Sequence, residues 1–384
     1  MTDTTAPLHV DELLAAATSK VGLDDYGDTW FLEPLGVLVS SLNSEAGLDQ
    51  AGLEMTRRRL VSLLVDRLRL RSFQAEHPDV HSVPVQVAAV ICGMPRTGST
   101  LLQRLLASSP QATSTFAWET TYPLPFPGEG PGAPVRRRRA RERMEAAAAS
   151  APEFSSIHPS RWDAVDEDVV LIDRSFVSMS FESFYWVPTY GDWLRATDHS
   201  RAYAELREWL QVLSWGDEER QARQWVLKSP HHLLAVDTVL DTFEDSTMVM
   251  THRSPVSTVP SYASMVAALT SLYNDRIDHR LLGPYWSSRF ATSLHQLEEA
   301  RAPRPHRFLD VRYDDLVTDP TTATLAALDA LGMPVGATDH APIDEAVVAQ
   351  QGGHRGGHTY LPEDFGLHQP KIEQDFAFYS EVYL

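Results

Sequence analysis

The chain has 384 residues, of which 43% are apolar and 22% charged, and its formal net charge is −19. These proportions exclude a disordered, collagen-like or disulfide-framed chain, and the acidic excess disfavours nonspecific binding to nucleic acid or to an anionic membrane. A single cysteine, Cys92, leaves no internal disulfide and no Cys/His zinc spacing. With neither a basic-then-apolar leader nor a run near ~18 apolar residues, the chain reads as cytoplasmic and not membrane-spanning.

In chain order, residues 9–75 read as mostly helix. Leu60, Leu63, Leu64, Leu68 and Leu70 keep a near-helical period with arginines on the other side, and Trp30, Phe31 and Leu35 look like anchors onto a core. Val85–Cys92 is a nearly continuous apolar run that suits a buried parallel strand, with Pro84 just ahead of it. A loop from Gly93 to Thr100 leads into a helix marked by Leu101, Leu102, Leu105 and Leu106. Thr121–Pro134 is rich in Pro and Gly and reads as loop, and Arg136–Ala149 reads as an exposed helix opening on four arginines. Residues 166–215 are dense in aromatics; those of 176–193 read individually as core, and as a group some of them are expected to line an apolar site. Gln224–Leu227, Thr247–Thr251 and Phe308–Val311 are three further strand candidates, with a helix over Leu233–Leu240. The alternation predicts an α/β fold: a P-loop-like parallel sheet flanked by helices, with an N-terminal helical arm and a helical insertion. It reads as one domain over 1–384, divided into a helical region 1–82, the loop unit 83–120, an insertion 121–222 and the rest of the core 223–384.

Gly93-Met94-Pro95-Arg96-Thr97-Gly98-Ser99-Thr100 has the outline of a phosphate-binding loop, with two glycines five apart followed by two hydroxyls. Between a strand and a helix, such a loop turns backbone N–H groups toward one place, and the helix N-terminus adds partial positive charge. Ser99 stands where a nucleoside-triphosphatase loop carries lysine, Arg96 supplies the positive charge instead, and no acidic strand end is evident to hold Mg²⁺. A less charged group than a polyphosphate, such as a phosphosulfate, fits those substitutions.

Gly-Met-Pro-Arg-Thr-Gly-Ser-Thr-Leu-Leu resembles the 5′-phosphosulfate loop of sulfotransferases that use 3′-phosphoadenosine 5′-phosphosulfate (PAPS). Arg253 and Ser261, eight apart, look like that family's 3′-phosphate site. Trp225–Pro230 looks like the strand bearing its active-site lysine, here Lys228, and Val311–Leu316 resembles its Tyr-Glu-Asp-Leu strand near the adenine. The resemblance runs from about Val90 to Leu367, and its tail is most like a bacterial branch. It implies PAPS as co-substrate with no metal, held by Pro95, Arg96, Thr97, Gly98, Ser99, Thr100, Arg253, Ser261 and Tyr313. Arg355 and Gly356 stand for the remains of the family's Arg-Lys-Gly clamp.

Several of these placements make sense on the residues alone. Ser254 and Pro255 suit a helix start beside Arg253, and Pro260 should kink that helix. Lys228 closes a strand, at the sheet edge where ligands bind. Only three of the 33 basic residues are lysine, and a compact ammonium differs chemically from a guanidinium fork. Arg96, Lys228 and Glu119 are the expected catalytic set. Glu119, before Thr120, resembles the glutamate base of the tyrosylprotein sulfotransferases; His231, His232 and Glu167 are alternatives for the base. The acceptor, whether small molecule, carbohydrate or glycolipid, stays open, and so does the oligomeric state. A P-loop kinase and a noncatalytic nucleotide-binding protein remain the rival readings.

Overall fold

The computed structural model describes residues 7–130, 132–150, 161–274, 276–333, 336, 340–351 and 361–384. Five strands form one parallel sheet: β1 (Val87–Cys92), β2 (Ala112–Thr113), β3 (Gln224–Lys228), β4 (Thr247–His252) and β5 (Phe308–Arg312), in the order β2-β3-β1-β4-β5. Four of these stand at the expected apolar runs. The fifth, β2, is two residues long and carries no pattern of its own. Every residue of β1 is buried, as a central strand covered on both faces requires. Its side chains alternate: Val90 and Cys92 join one core, Ala89 and Ile91 the other. Burial pushes the Cys92 thiol up to about 12, which makes it an inert apolar group.

The N-terminal arm forms three helices, α1 (Val10–Val21), α2 (Leu32–Ser44) and α3 (Gln50–Glu76). Asp49 caps α3 by accepting from Gly52 N at 2.6 Å. The arginines of α3 do not all face solvent. Arg67 is buried and forms a bidentate pair with Glu205 at 2.6 and 2.7 Å, and the Arg59 guanidinium lies over Phe181 and Phe184. Two buried ion pairs, this one and Asp66–Arg174 at 2.7 Å, bolt α3 onto the aromatic middle of the chain. There Phe176, Phe181, Tyr190, Tyr203 and Trp209 are fully buried.

The second core packs α4 (Ser99–Leu106), through Leu102, Leu105 and Leu106, against Leu316, Leu328 and Ile343. The four-arginine run opens a further helix, Pro134–Ser150, and is partly absorbed by packing. Arg136 and Arg137 lie over Trp118, Arg139 lies over Phe126, and Arg136 pairs with Glu129 at 3.0 Å. Among the described residues, no helix is long and apolar enough to cross a membrane.

Candidate active site

The central strand β1 lies between β3 and β4, so the chain leaves it toward one side of the sheet and later continues on the other. The crevice at the C-terminal ends of such strands is where open α/β sheets bind ligands. A cavity of about 480 Å³ opens there. It is reached by the loop after β1, by Lys228 at the end of β3, by Arg253 after β4 and by Tyr313 after β5.

The loop's backbone is committed to this shape. Gly98 caps α4 with φ +85°, and a Cβ there would stand 2.9 Å from Cδ2 of Tyr313. Arg96 holds φ +70°, which a non-glycine residue rarely adopts. Thr97 hydroxyl donates to Met94 O at 2.7 Å and shares a 2.6 Å bond with the Thr251 hydroxyl, which ties the loop to β4. The first helical bond of α4 runs from Leu102 N to Gly98 O, so the N–H groups before it have no helical acceptor and their partial charge faces the loop.

Residues far apart in sequence meet on this loop. Arg96 Nε donates to Ser261 Oγ at 3.1 Å, and Arg253 Nη1 donates to Arg96 O at 3.0 Å. The Arg253 guanidinium sits 4.0 Å from the Tyr313 ring centre. Ser254 occupies the N-cap of the helix Pro255–Thr270 with Pro255 in its first turn, although its hydroxyl makes no capping bond, and Pro260 lies inside that helix. Tyr313 is not on a strand. β5 ends at Arg312, and Tyr313–Thr318 is a helix whose first turn carries Asp314 and Asp315, side chains that favour a helix N-terminus. Arg355 and Gly356 lie outside the described residues.

Lys228 is buried, and its ammonium donates to Thr100 Oγ1 at 3.0 Å and to the Glu167 carboxylate. Glu167 lines the cavity; Glu119 does not. Glu119 is buried, held by Arg220 through two bonds at 2.6 and 2.9 Å and by Phe116 N–H at 3.0 Å. The expectation that Glu119 is the base is therefore corrected: both its oxygens are held in a buried ion pair with Arg220, away from the cavity lining. Arg220 is one residue in a run of charged side chains, and nothing in that run signals that it turns inward.

The histidines are also accounted for. His231 Nδ1 accepts from Met179 N–H at 3.2 Å, and burial pushes the ring's pKa well below the ordinary histidine value. The neutral ring therefore carries its proton on Nε2 and has no nitrogen left to accept one. His232 engages Tyr203 OH at 2.7 Å through Nδ1 and Asp168 at 3.1 Å through Nε2. Glu167 is the remaining carboxylate of the four base candidates that stands at the cavity beside Lys228. Thr251, bonded to the loop, and Tyr262, on the cavity wall, carry no signal in the sequence, because a threonine inside a strand and a tyrosine inside a helix look like core.

Residues 89–337 match the sulfotransferase family. The chain belongs to that family. Among solved structures, the sulfotransferase STF1 from Mycobacterium tuberculosis is 29% identical, with a TM-score of 0.84 over 97% of this chain and 99% of that one. The sulfotransferase STF9 from Mycobacterium avium, 22% identical, has the same fold, with a TM-score of 0.87 over 100% of this chain and 98% of that one. No curated protein matches the sequence. In this sulfotransferase, the phosphate-type loop and the lysine strand lie within the matched segment, together with Arg253, Ser261 and Tyr313.

Proposed function

We propose that this chain, as a single domain, transfers the sulfuryl group of PAPS to a hydroxyl group, with Lys228 and Glu167 at the reacting centre. The observation that carries the reading is the meeting of Arg96, Ser261 and Arg253 on one loop across more than 150 residues of sequence. Two guanidinium groups, a hydroxyl and a helix N-terminus at one strand edge suit a donor with separate 5′ and 3′ anionic groups. The tight approach of Gly98 to Tyr313 leaves a flat aromatic ring against the loop, fit for a purine.

The donor supplies an activated sulfuryl group with a phosphate as its leaving group. Arg96 and the loop N–H groups hold that end, and Arg253 and Ser261 hold the 3′-phosphate. Lys228 places a positive charge where negative charge builds on the leaving oxygen, and Thr100 orients it. Glu167 accepts the proton of the attacking hydroxyl. A sulfuryl group carries less charge than a phosphoryl group, so cationic side chains and backbone dipoles suffice without a metal.

Thermal unfolding in EDTA tests the donor. Adenosine 3′,5′-bisphosphate (PAP) should stabilise the protein much more than adenosine 5′-monophosphate, and Arg253→Ala should erase most of that difference by weakening PAP about 10- to 150-fold, the loss of a charge-assisted contact. Equal shifts for the two nucleotides would refute the 3′-phosphate site. Transfer of radiolabelled sulfate from PAPS tests the reaction.

A further inference from the structure

The wall of the cavity beyond Lys228 and Glu167 has a consistent chemistry. Val169 and Val170 follow Glu167 directly, on the helix Val169–Ile172. Met179 and Phe184 come from the helix Met179–Phe184, and Met265 and Leu269 lie one and two turns past Ser261 on the helix Pro255–Thr270. The hydroxyls on this wall are bound to the protein itself. Ser180 Oγ donates to Asp173 and accepts from Arg59 Nη2 at 3.0 Å. Ser183 Oγ donates to Met179 O at 3.1 Å and lies 2.8 Å from Tyr262 OH.

Two polar atoms at the cavity keep capacity that no internal bond among the described residues takes. One is Glu167 Oε2, an acceptor beside the Oε1 that receives the Lys228 ammonium. The other is His231 Nε2, buried and without a partner among the described residues, which carries a proton because Nδ1 accepts from Met179. One acceptor and one donor are the complement of one hydroxyl group.

We propose that the acceptor is a neutral, apolar alcohol or phenol that presents a single hydroxyl to Glu167 and His231, with its hydrocarbon body against Val169, Val170, Met179, Phe184, Met265 and Leu269, and that it is not a carbohydrate. The inference rests on the sulfuryl-transfer reading above. Several hydroxyls of a sugar would be pressed against valine, methionine and phenylalanine, and each one left unpaired weakens binding on the order of tenfold. An anionic acceptor would bring its charge against the Glu167 carboxylate on the cavity wall.

The full-length protein, with PAPS as donor, should sulfate 2-naphthol and cyclohexylmethanol with kcat/KM at least about 100-fold above that for glucose, the product of two or more unpaired hydroxyls. Met265→Gln keeps the side chain's length and adds a polar amide. It should raise KM for 2-naphthol about five- to tenfold, with PAP affinity unchanged as evidence of an intact fold. Preference for glucose, failure of both apolar alcohols with a protein that binds PAP, or indifference to Met265→Gln overturns the inference and leaves the donor reading in place. Failure to bind PAP at all overturns the donor reading itself, and the inference with it.

Discussion

At the residue scale, two glutamates meet different cations in different surroundings. Glu167 meets Lys228 at the cavity, whereas Glu119 meets Arg220 in the interior. Glu167→Gln should cut turnover about 10²–10⁴-fold, the usual cost of losing a general base, and should leave PAP binding at least as tight because it releases the Lys228 ammonium. Glu119→Gln should leave turnover of the folded protein within a few-fold but lower its stability by about 3–5 kcal/mol, because Arg220 stays buried without its countercharge. Single-turnover kinetics and urea unfolding on both variants check the pair. If Glu119→Gln abolished transfer in a protein of normal stability, the roles assigned to the two carboxylates would be reversed.

At the scale of elements, the loop between β1 and α4 works because its backbone takes positions that side chains resist. Gly98→Ala places a Cβ at φ +85° and 2.9 Å from the Tyr313 ring, so either the loop or the helix Tyr313–Thr318 must move. The expected cost is about 1–3 kcal/mol of strain in the native state, accompanied by weaker PAP binding, since the same displacement shifts the α4 N-terminus. Isothermal titration with PAP beside a denaturant midpoint checks it. Wild-type affinity in this variant would mean that the loop does not hold the nucleotide. The last helix, Ala377–Tyr383, braces the other side of the site. Tyr379 OH lies 3.0 Å from His252 Nδ1, and Tyr383 stacks on the same imidazole at 4.2 Å, one residue before Arg253.

For the whole molecule, ligand and pH act on the folding equilibrium. PAP at 100 times its dissociation constant should add about 2.7 kcal/mol, with or without EDTA. His199 and His231 are buried, and burial lowers both of their pKa values below that of a free imidazole. The native state keeps them neutral while the unfolded chain protonates them below about pH 6.5, so stability should fall as pH drops through that value, by up to about 1.4 kcal/mol per unit for each ring. Asp310, held below the ordinary carboxylate range by Arg301 and His252 despite partial burial, adds stability that is complete above about pH 4 and declines only below it. Urea unfolding at pH 7.5, 6.5 and 5.5 should show a loss of about 1–3 kcal/mol. His231→Asn, which keeps an acceptor for Met179 N–H, should flatten the curve; an unchanged curve would assign the loss to other groups.

The α/β alternation, four of the five strands and the phosphate-type loop were legible in the sequence. A buried parallel strand is a continuous apolar run, and a loop that must approach an anion needs glycine at fixed places; both constraints are local. The rarity of lysine singled out Lys228 for the same local reason. What the chain could not disclose is which charged groups face each other. Glu119 and Glu167 are alike in type, and nothing in their neighbours along the chain names a partner for either. Only packing decides that Arg220 folds inward to take the first while Lys228 meets the second. The inward turn of Arg67 on α3 and the helical, not extended, setting of Tyr313 were hidden in the same way. Ion-pair choice is a long-range outcome, set by the desolvation cost of each alternative arrangement, and a linear pattern of residues does not encode it.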